Sequence, residues 1–504
     1  MSTSAPQSPG GTAGVGQPGF VAKHGLFSDE QASVAQALIR RIRELDLRTV
    51  RFVLVDQHGT PRSRSLSVQA AIDVFANGLD FSGAIYSLDT GNQVFVPPFA
   101  RGGGFGIEEF TGFPDVVLVP DPGTFQVLPW ADRTGWILCD VYFSNGRPVP
   151  LDGRQLMRRM LRELAEAGYD FLAGIEIEYY IVKLAEQPLT PQDAGFTPPP
   201  PQVSVFERGY QFLSEVRLDG VAGPLEAIRD GLTAIGLPPR SMEDEWGPGQ
   251  MEFTFSPMAG LDAADAVVLF RSAVKQMCQR RGLLATFMCT PGLANFFSSG
   301  WHLHESLTRR PGGQNAFASP DAVLSAAGRQ FVSGLLDHAL PMMLFAVPTV
   351  NGYRRFRPYS FAPDRVCWAV ENRGAMVRVQ GAPGDASSHA ENRIGEPAAN
   401  PYLYMAANIA AGLDGIRRGL QIAPVEEDPY AAEAAMLPTS LDEAATALDK
   451  DEFFRQAFGK TLVDYLLTMK RAELKRYTES LASHPPAADQ PVTEWEMREY
   501  FEFF

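Results

Sequence analysis

The sequence predicts an α+β protein built from two unequal domains. Three observations carry this. Runs rich in β-branched and aromatic residues are interspersed with amphipathic helical stripes in no regular alternation. The 504 residues are enough for two domains and a large core. A turn-forming break, Asn145-Gly146-Arg147-Pro148-Val149-Pro150, divides a short first unit from a long second one. The expected division is a disordered tail over 1–28, an N-terminal domain over 29–146 and a second domain over 147–504.

The tail is rich in Gly, Ser, Thr and Pro and cannot bury enough apolar area to fold. After it, Val34, Leu38, Ile39, Ile42 and Leu45 form one helical stripe. Residues 50–55 read as a strand, His58-Gly59-Thr60-Pro61 as a turn, and 62–66 as the returning strand. Ser67 can cap a helix that ends at Gly78, and Asp80 follows it. The segment 86–110 reads as a long loop, and 115–119 and 136–143 as strands. In the second domain, 154–167 reads as a helix and the run around Glu176 as a strand. A Pro-rich insert over 187–201 follows, then a helix at 225–235 and a strand holding Glu252. Helices are predicted at 263–281, 321–338, 399–419 and 461–481.

Composition narrows the function. A net charge of -15 argues against a nucleic-acid partner, which would favour a basic face. The most apolar stretch, 331–350, is broken by Asp337, His338 and Pro341, so no membrane span is expected. No signal peptide is read at the start. Cys139, Cys278, Cys289 and Cys367 lack metal-type spacing and sit among apolar neighbours. Buried free thiols and a cytoplasmic setting are expected. Gly459-Lys460-Thr461 resembles the end of a phosphate-binding loop, but Phe454 stands where that loop needs glycine.

The chemistry concentrates in Glu176-Ile177-Glu178, in Glu245 to Glu252, and in Trp301-His302-Leu303-His304. Side chains at i and i+2 of a strand share a face, so the two glutamates project together, as do the two histidines. Alone, such a pair is most often a solvated strand face. Here Glu176 and Glu178 lie in an apolar run that should be buried, and buried carboxylates need a partner. A hard divalent cation, Mg²⁺ or Mn²⁺, suits this ligand set.

These motifs, taken in order, resemble the glutamine synthetase family. The match continues through Ser299-Gly300 before His302, Asn372-Arg373 with Arg378, and Glu391-x-Arg393. It then runs through Pro397-Ala398-Ala399-Asn400-Pro401-Tyr402 to Trp495-Glu496-Met497-Arg498-Glu499-Tyr500-Phe501, and covers nearly everything after about residue 30. The resemblance implies an N-terminal β-grasp domain and a catalytic domain with a curved antiparallel sheet flanked by helices. It implies that ATP activates the γ-carboxylate of L-glutamate as an acyl phosphate, which an amine then attacks. Glu178, Glu245 and Glu252 would hold one metal ion, and Glu176, His302 and Glu391 a second. His304, Ser306 and Arg378 would serve the nucleotide, Arg355 and Arg393 the glutamate carboxylates, and Arg373 the transferring phosphate. Asp80 and Asp115 would help bind and deprotonate the amine across a subunit boundary. The family also implies a homo-oligomer of stacked rings with active sites between subunits.

Two departures bear on the amine. Phe361 stands where ammonia-using members carry a flap glutamate, and Phe297-Ser298 stands where they carry Asn-Gly. Collecting and deprotonating ammonium requires carboxylates. At neutral pH, where ammonium is a cation, an aromatic amine is already uncharged and needs an apolar slot instead. Phe296, Phe297, Trp246, Trp301, Phe356 and Tyr359 are candidates for its walls. The expectation is a ligase of the γ-glutamylanilide type. The alternatives are a glutamine synthetase, a polyamine or ethanolamine ligase, a non-catalytic relative, and a kinase on the same scaffold.

Overall fold

Two sheets organise the computed structural model, which describes residues 18–185, 190–485 and 491–504. The first sheet has the order Pro61–Ser67, Thr49–Val55, Thr134–Tyr142, Asp115–Pro120, Leu79–Ser82, with Gln126–Val127 beside Thr134–Tyr142. Its two inner strands Thr49–Val55 and Thr134–Tyr142 run parallel, and the other pairs are antiparallel. Helices Asp29–Glu44 and Val68–Asn77 bury Leu38, Ile42, Ala71 and Val74 in the common core. The second starts at the cap expected from the sequence, Ser67. Ser28 forms a capping box with Gln31, and Ser67 caps the second helix, which stops at Gly78 with φ of 69°.

The expected tail ends too late. Phe20–Lys23 is helical, and Val21 packs with Val117 and Val119 of the first sheet. A single buried valine between Phe20 and Leu26 was too faint a pattern to read against the Gly/Pro background. Residues 1–17 of the expected tail, and 186–189 next to and within the expected insert, lie outside the described residues.

The second sheet has the order Trp368–Val370, Val377–Gln380, His389–Gly395, Trp301–Arg309, Tyr169–Leu184, Gln250–Phe255, Pro239–Asp244. All pairs in this path are antiparallel except the first. Tyr169–Leu184 is 16 residues long and also pairs with three short strands. One face lies under helices that include Gly153–Glu166, Leu261–Gln279 and Pro401–Arg418, with Ile175, Ile177, Tyr179, Phe253 and Leu303 in the shared core. Helix Pro401–Arg418 begins at the Asn400 cap and ends at the left-handed Gly419. The helix expected from 321 starts instead at Ala326, where Ser325 caps it. Further helices in this part of the chain are Glu215–Gly220, Ala222–Ala234, Ala339–Ala346, Leu441–Asp449, Glu452–Phe458, Lys460–Ser483 and Glu494–Tyr500.

Helices Ala326–Asp337 and Pro401–Arg418 cross at backbone contact. A Cβ on Gly334 would meet the Ala411 carbonyl oxygen at 2.0 Å. Gly334→Val is expected to destabilise the fold by about 3 kcal/mol through forced separation of the helices, read as a lowered denaturation midpoint. A buried ionic node ties the first sheet to the helices of the second. Arg154 binds Asp140 of strand Thr134–Tyr142, Asp121 just past strand Asp115–Pro120, and Asp265 of helix Leu261–Gln279, at 2.7 to 2.8 Å. All four cysteines are free and buried, as expected. Among the described residues no helix is long and apolar enough to cross a membrane.

Candidate active site

The strand Tyr169–Leu184 alternates as its composition dictates. Ile175, Ile177 and Tyr179 go under the helices, so Glu176 and Glu178 take the open face. Register then gathers the other motifs. Glu252 lies directly opposite Glu178 on one side, and His302 directly opposite Glu176 on the other. His304 lies opposite Glu391, which lies opposite Arg378. Gly174 shares the open face beside His304, where a Cβ would come within 3.1 Å of the His304 Cβ. The missing side chain leaves room for the imidazole to reach Glu176 at 3.0 Å.

Two groups of donor atoms converge. Glu176, His302 and Glu391 each offer a ligand atom within 4.8 Å of the others, and so do Glu178, Glu252 and His302. Arg355 Nη2 donates to His302 Nε2 at 3.1 Å, so in a neutral ring Nδ1 carries the proton and donates to Glu176. Glu178 Oε2 accepts from Gly300 N at 3.0 Å and from Gln250 Nε2 at 3.3 Å, which fixes the carboxylate in the cluster. A third grouping, Asp337, His338 and Asp414, is already neutralised by Arg418, which binds both aspartates.

The electrostatics show a surplus of negative charge. Burial, then the neighbouring Glu176, Glu178 and Glu245, pushes the Glu252 carboxyl up to about 10. Burial, then Glu178, pushes Glu245 up to about 8. Against the cost of burial, hydrogen bonds and charge from His302 and His304 hold Glu176 well below the usual carboxylate range. Despite burial, Arg393, His302 and His304 lower Glu391. Carboxylates this crowded, with oxygen donors and one imidazole, are the donor set of a hard divalent ion. The residues present therefore fit such ions, and ionising Glu245 and Glu252 is what a bound cation would favour.

Arginines border the cluster. Arg355 is buried and donates to the Arg393 and Gly395 carbonyls. Arg393 pairs with Glu391 and donates from Nη2 to the Phe361 carbonyl at 3.2 Å. Arg378 bridges Glu391 and Glu371. Arg373 is exposed, with no ion pair among the described residues. Ser306 is buried two residues beyond His304, on the same face by alternation.

The rim is aromatic. Trp246 follows Glu245 in the chain and stacks on Phe212 at 5.2 Å with planes 6° apart, while Phe297 leans on Trp246 at 6.4 Å. All three are more than 40% exposed. Ser298 hydrogen-bonds Thr290 at 2.8 Å. Phe361 is exposed with φ of 57°, and the neighbouring Tyr359 packs on Tyr430, whose hydroxyl donates to the Ala362 carbonyl at 2.9 Å.

Several expectations need correction or completion. Trp301 does not line the site. It pairs with Ile177, faces the helices, and is fully buried with its ring edge toward Tyr404. The rule that puts His302 and His304 outward puts Trp301 inward. Phe296 stacks on Tyr180 at 4.3 Å, and Phe356 packs against the main core. Asp80 and Asp115 are exposed on adjacent strands of the first domain and make no polar contact with the cluster within one chain. Sequence reading missed Phe212 and Arg217. Buried Arg217 binds Glu207, Asp244 and the Glu245 and Gly247 carbonyls, and so sews the Phe212 segment onto the Glu245 loop. His389, which hydrogen-bonds His304 at 2.9 Å, was missed too, although its place two residues before Glu391 in a strand signals the shared face.

Comparison with known proteins gives a consistent picture. Residues 150–500 match the family described as glutamine synthetase, catalytic domain. The chain is 44% identical over 491 residues to a gamma-glutamylanilide synthase from Acinetobacter sp, covering 96% of this chain and 98% of the relative. It is 31% identical over 462 residues to a glutamine synthetase from Pyrococcus abyssi, covering 90% of this chain and 96% of that one. Among solved structures, apo GmaS without ligand superposes with a TM-score of 0.75 at 27% identity, over 92% of this chain and 98% of that one.

Proposed function

The chain belongs to the glutamine synthetase family, and from that premise we propose that it joins L-glutamate to a neutral aromatic amine of the aniline class. It is an ATP-dependent carboxylate–amine ligase, and the family's chemistry uses ATP and divalent metal ions. The observation that carries the choice of amine is the rim. Phe212 and Trp246 present stacked, solvent-facing rings beside Glu245, with the exposed Phe297 tilted against Trp246, and Phe361 brings no carboxylate to the lid. Ring stacking and apolar contact select a neutral aryl group, whereas a cationic amine would need an anion at the lid. The name of the Acinetobacter relative describes the same product class.

In this reading Arg355 and Arg393 hold the glutamate carboxylates, and Arg373 and Arg378 take the phosphates with bidentate geometry. His304 and Ser306 face the nucleotide. Glu178, Glu245 and Glu252 would hold one Mg²⁺ or Mn²⁺, and Glu176, His302 and Glu391 another. Bound ions supply charge neutralisation for the transferring phosphoryl group. A γ-carboxylate oxygen attacks the γ-phosphorus, and the bond to the ADP oxygen breaks. The amine lone pair then attacks the acyl carbon, the bond from that carbon to the bridging phosphate oxygen breaks, and the nitrogen proton leaves with the phosphate. Asp80 and Asp115 are assigned to the amine site of a neighbouring subunit in a ring-shaped homo-oligomer.

An amine panel tests the reading. ADP release with glutamate and aniline is expected to exceed that with ammonium by about tenfold or more in kcat/KM, with γ-glutamylanilide detected by mass spectrometry. Strong turnover with ammonium and none with aniline would reject the aryl specificity and leave the ligase class intact.

A pH dependence follows from the crowded carboxyls. Glu245 and Glu252 in the metal-free protein hold protons up to about 8 and about 10, far above the unfolded value of 4.5. Between those limits the folded chain binds more protons than the unfolded one, so metal-free stability falls as pH rises. A divalent ion must displace the same protons, so its affinity rises with pH. The gain in Tm on adding Mg²⁺ over EDTA is expected to be several-fold larger near pH 8 than near pH 6, as measured by scanning fluorimetry. A gain that shrinks with rising pH would contradict the assignment.

A further inference from the structure

The C-terminal segment lies away from the carboxylate cluster, yet its central glutamate is tied to the turn that carries Arg355. Glu496 is fully buried on helix Glu494–Tyr500. Its Oε1 accepts from Asn351 Nδ2 at 3.0 Å and from Arg354 Nε at 3.1 Å. Its Oε2 accepts from Arg354 Nη2 at 2.9 Å and from the Thr493 amide and hydroxyl at 2.8 and 2.9 Å. Five donors on one carboxylate exceed what capping a seven-residue helix requires, since the cap needs only Thr493.

The other three donor bonds lead straight to the turn Gly352–Arg355. Asn351 is clamped between Glu496 and Thr290, accepting from the Thr290 amide at 2.7 Å and donating to its carbonyl at 3.0 Å. The Asn351 carbonyl accepts from Arg354 N at 3.1 Å, which closes the turn. Thr290 in turn hydrogen-bonds Ser298 on the rim at 2.8 Å. Arg355 leaves this turn and reaches His302 at 3.1 Å. A shift of about 1 Å in such a support is enough to cost a large factor in a positioned interaction.

We propose that Glu496 is a positioning residue for Arg355, so that the C-terminal helix sets the affinity for glutamate without touching it. This rests on the reading that Arg355 holds a glutamate carboxylate. An amide at 496 would turn one acceptor into a donor facing donors, which loosens the turn and leaves the carboxylate cluster in place.

The test is steady-state kinetics on the full-length enzyme with saturating aniline and Mg²⁺. Glu496→Gln is expected to raise KM for glutamate about tenfold or more, with kcat and the KM for ATP within about twofold of the parent. Arg354→Lys, which keeps the charge and loses the fork, approaches the same link from the other side and is expected to shift the same constant. Lys275→Met is the matched control. Lys275 anchors the same tail through the Glu502 and Phe504 carbonyls and does not touch the turn, so it should lower Tm and leave KM for glutamate unchanged. An unchanged KM for glutamate in both Glu496→Gln and Arg354→Lys overturns the proposal, as does an equal loss in every kinetic constant. If Glu496→Gln does not fold, Arg354→Lys decides alone. Arg355→Lys separates the two levels: an unchanged KM there rejects the role of Arg355 itself.

Discussion

Glu178→Ala and His302→Ala are each expected to lower ligase turnover by about a thousandfold or more at saturating substrates, since metal-assisted phosphoryl transfer depends on the ligands that fix the ions. Glu178 faces Glu252 across the sheet, and its Oε2 is held by Gln250 and Gly300. His302 belongs to both groups of converging donors, so its loss opens both. The loss of activity should not be a loss of fold. Without metal, Glu178 is one of the like charges that push Glu245 up to about 8 and Glu252 up to about 10. Removing it relieves repulsion, so Glu178→Ala is expected to keep or raise the Tm of the metal-free protein while abolishing the Tm gain on adding Mg²⁺. Kinetics and scanning fluorimetry on the same samples check both halves. A variant that is inactive because it is unfolded would show a lowered metal-free Tm instead.

The second large effect concerns the amine. Phe361→Glu places a carboxylate on the exposed residue whose carbonyl already meets Arg393. It is expected to move the ratio of kcat/KM for ammonium over that for aniline upward by about a hundredfold, through a gain for the cation and a loss for the ring. Trp246→Ala removes the platform on which Phe212 stacks. That change is expected to raise KM for aniline and leave the rate of glutamate-dependent ADP formation with hydroxylamine nearly unchanged. A Phe361→Glu enzyme with an unaltered ratio would show that position 361 does not choose the amine.

Much of the cluster was legible because strand parity is a strong rule. Glu176, Glu178, His302 and His304 sit on the open face that their i, i+2 spacing dictates. The same parity excluded Trp301, and only the pull of an aromatic next to His302 obscured it. Register was a different matter. That Glu252 meets Glu178 and His302 meets Glu176 is set by pairings between segments over seventy residues apart, which local pattern does not encode. Phe212 was hidden for a related reason. Its segment has no periodic signal, and its place on Trp246 depends on Arg217 and on backbone bonds from Tyr210 and Leu213 to the strand end near Glu245. Helix Ala339–Ala346 escaped because an apolar run with Pro341 and no polar face carries no amphipathic stripe.

The most direct measurement follows the oxygen. With L-glutamate carrying heavy oxygen in its γ-carboxylate, one labelled atom is expected in each phosphate released during aniline-dependent turnover. That atom is the one that attacks the γ-phosphorus and then leaves carbon when the amide forms. Phosphate without label, in the presence of γ-glutamylanilide product, would mean that the carboxyl group is never phosphorylated at the metal-binding cluster.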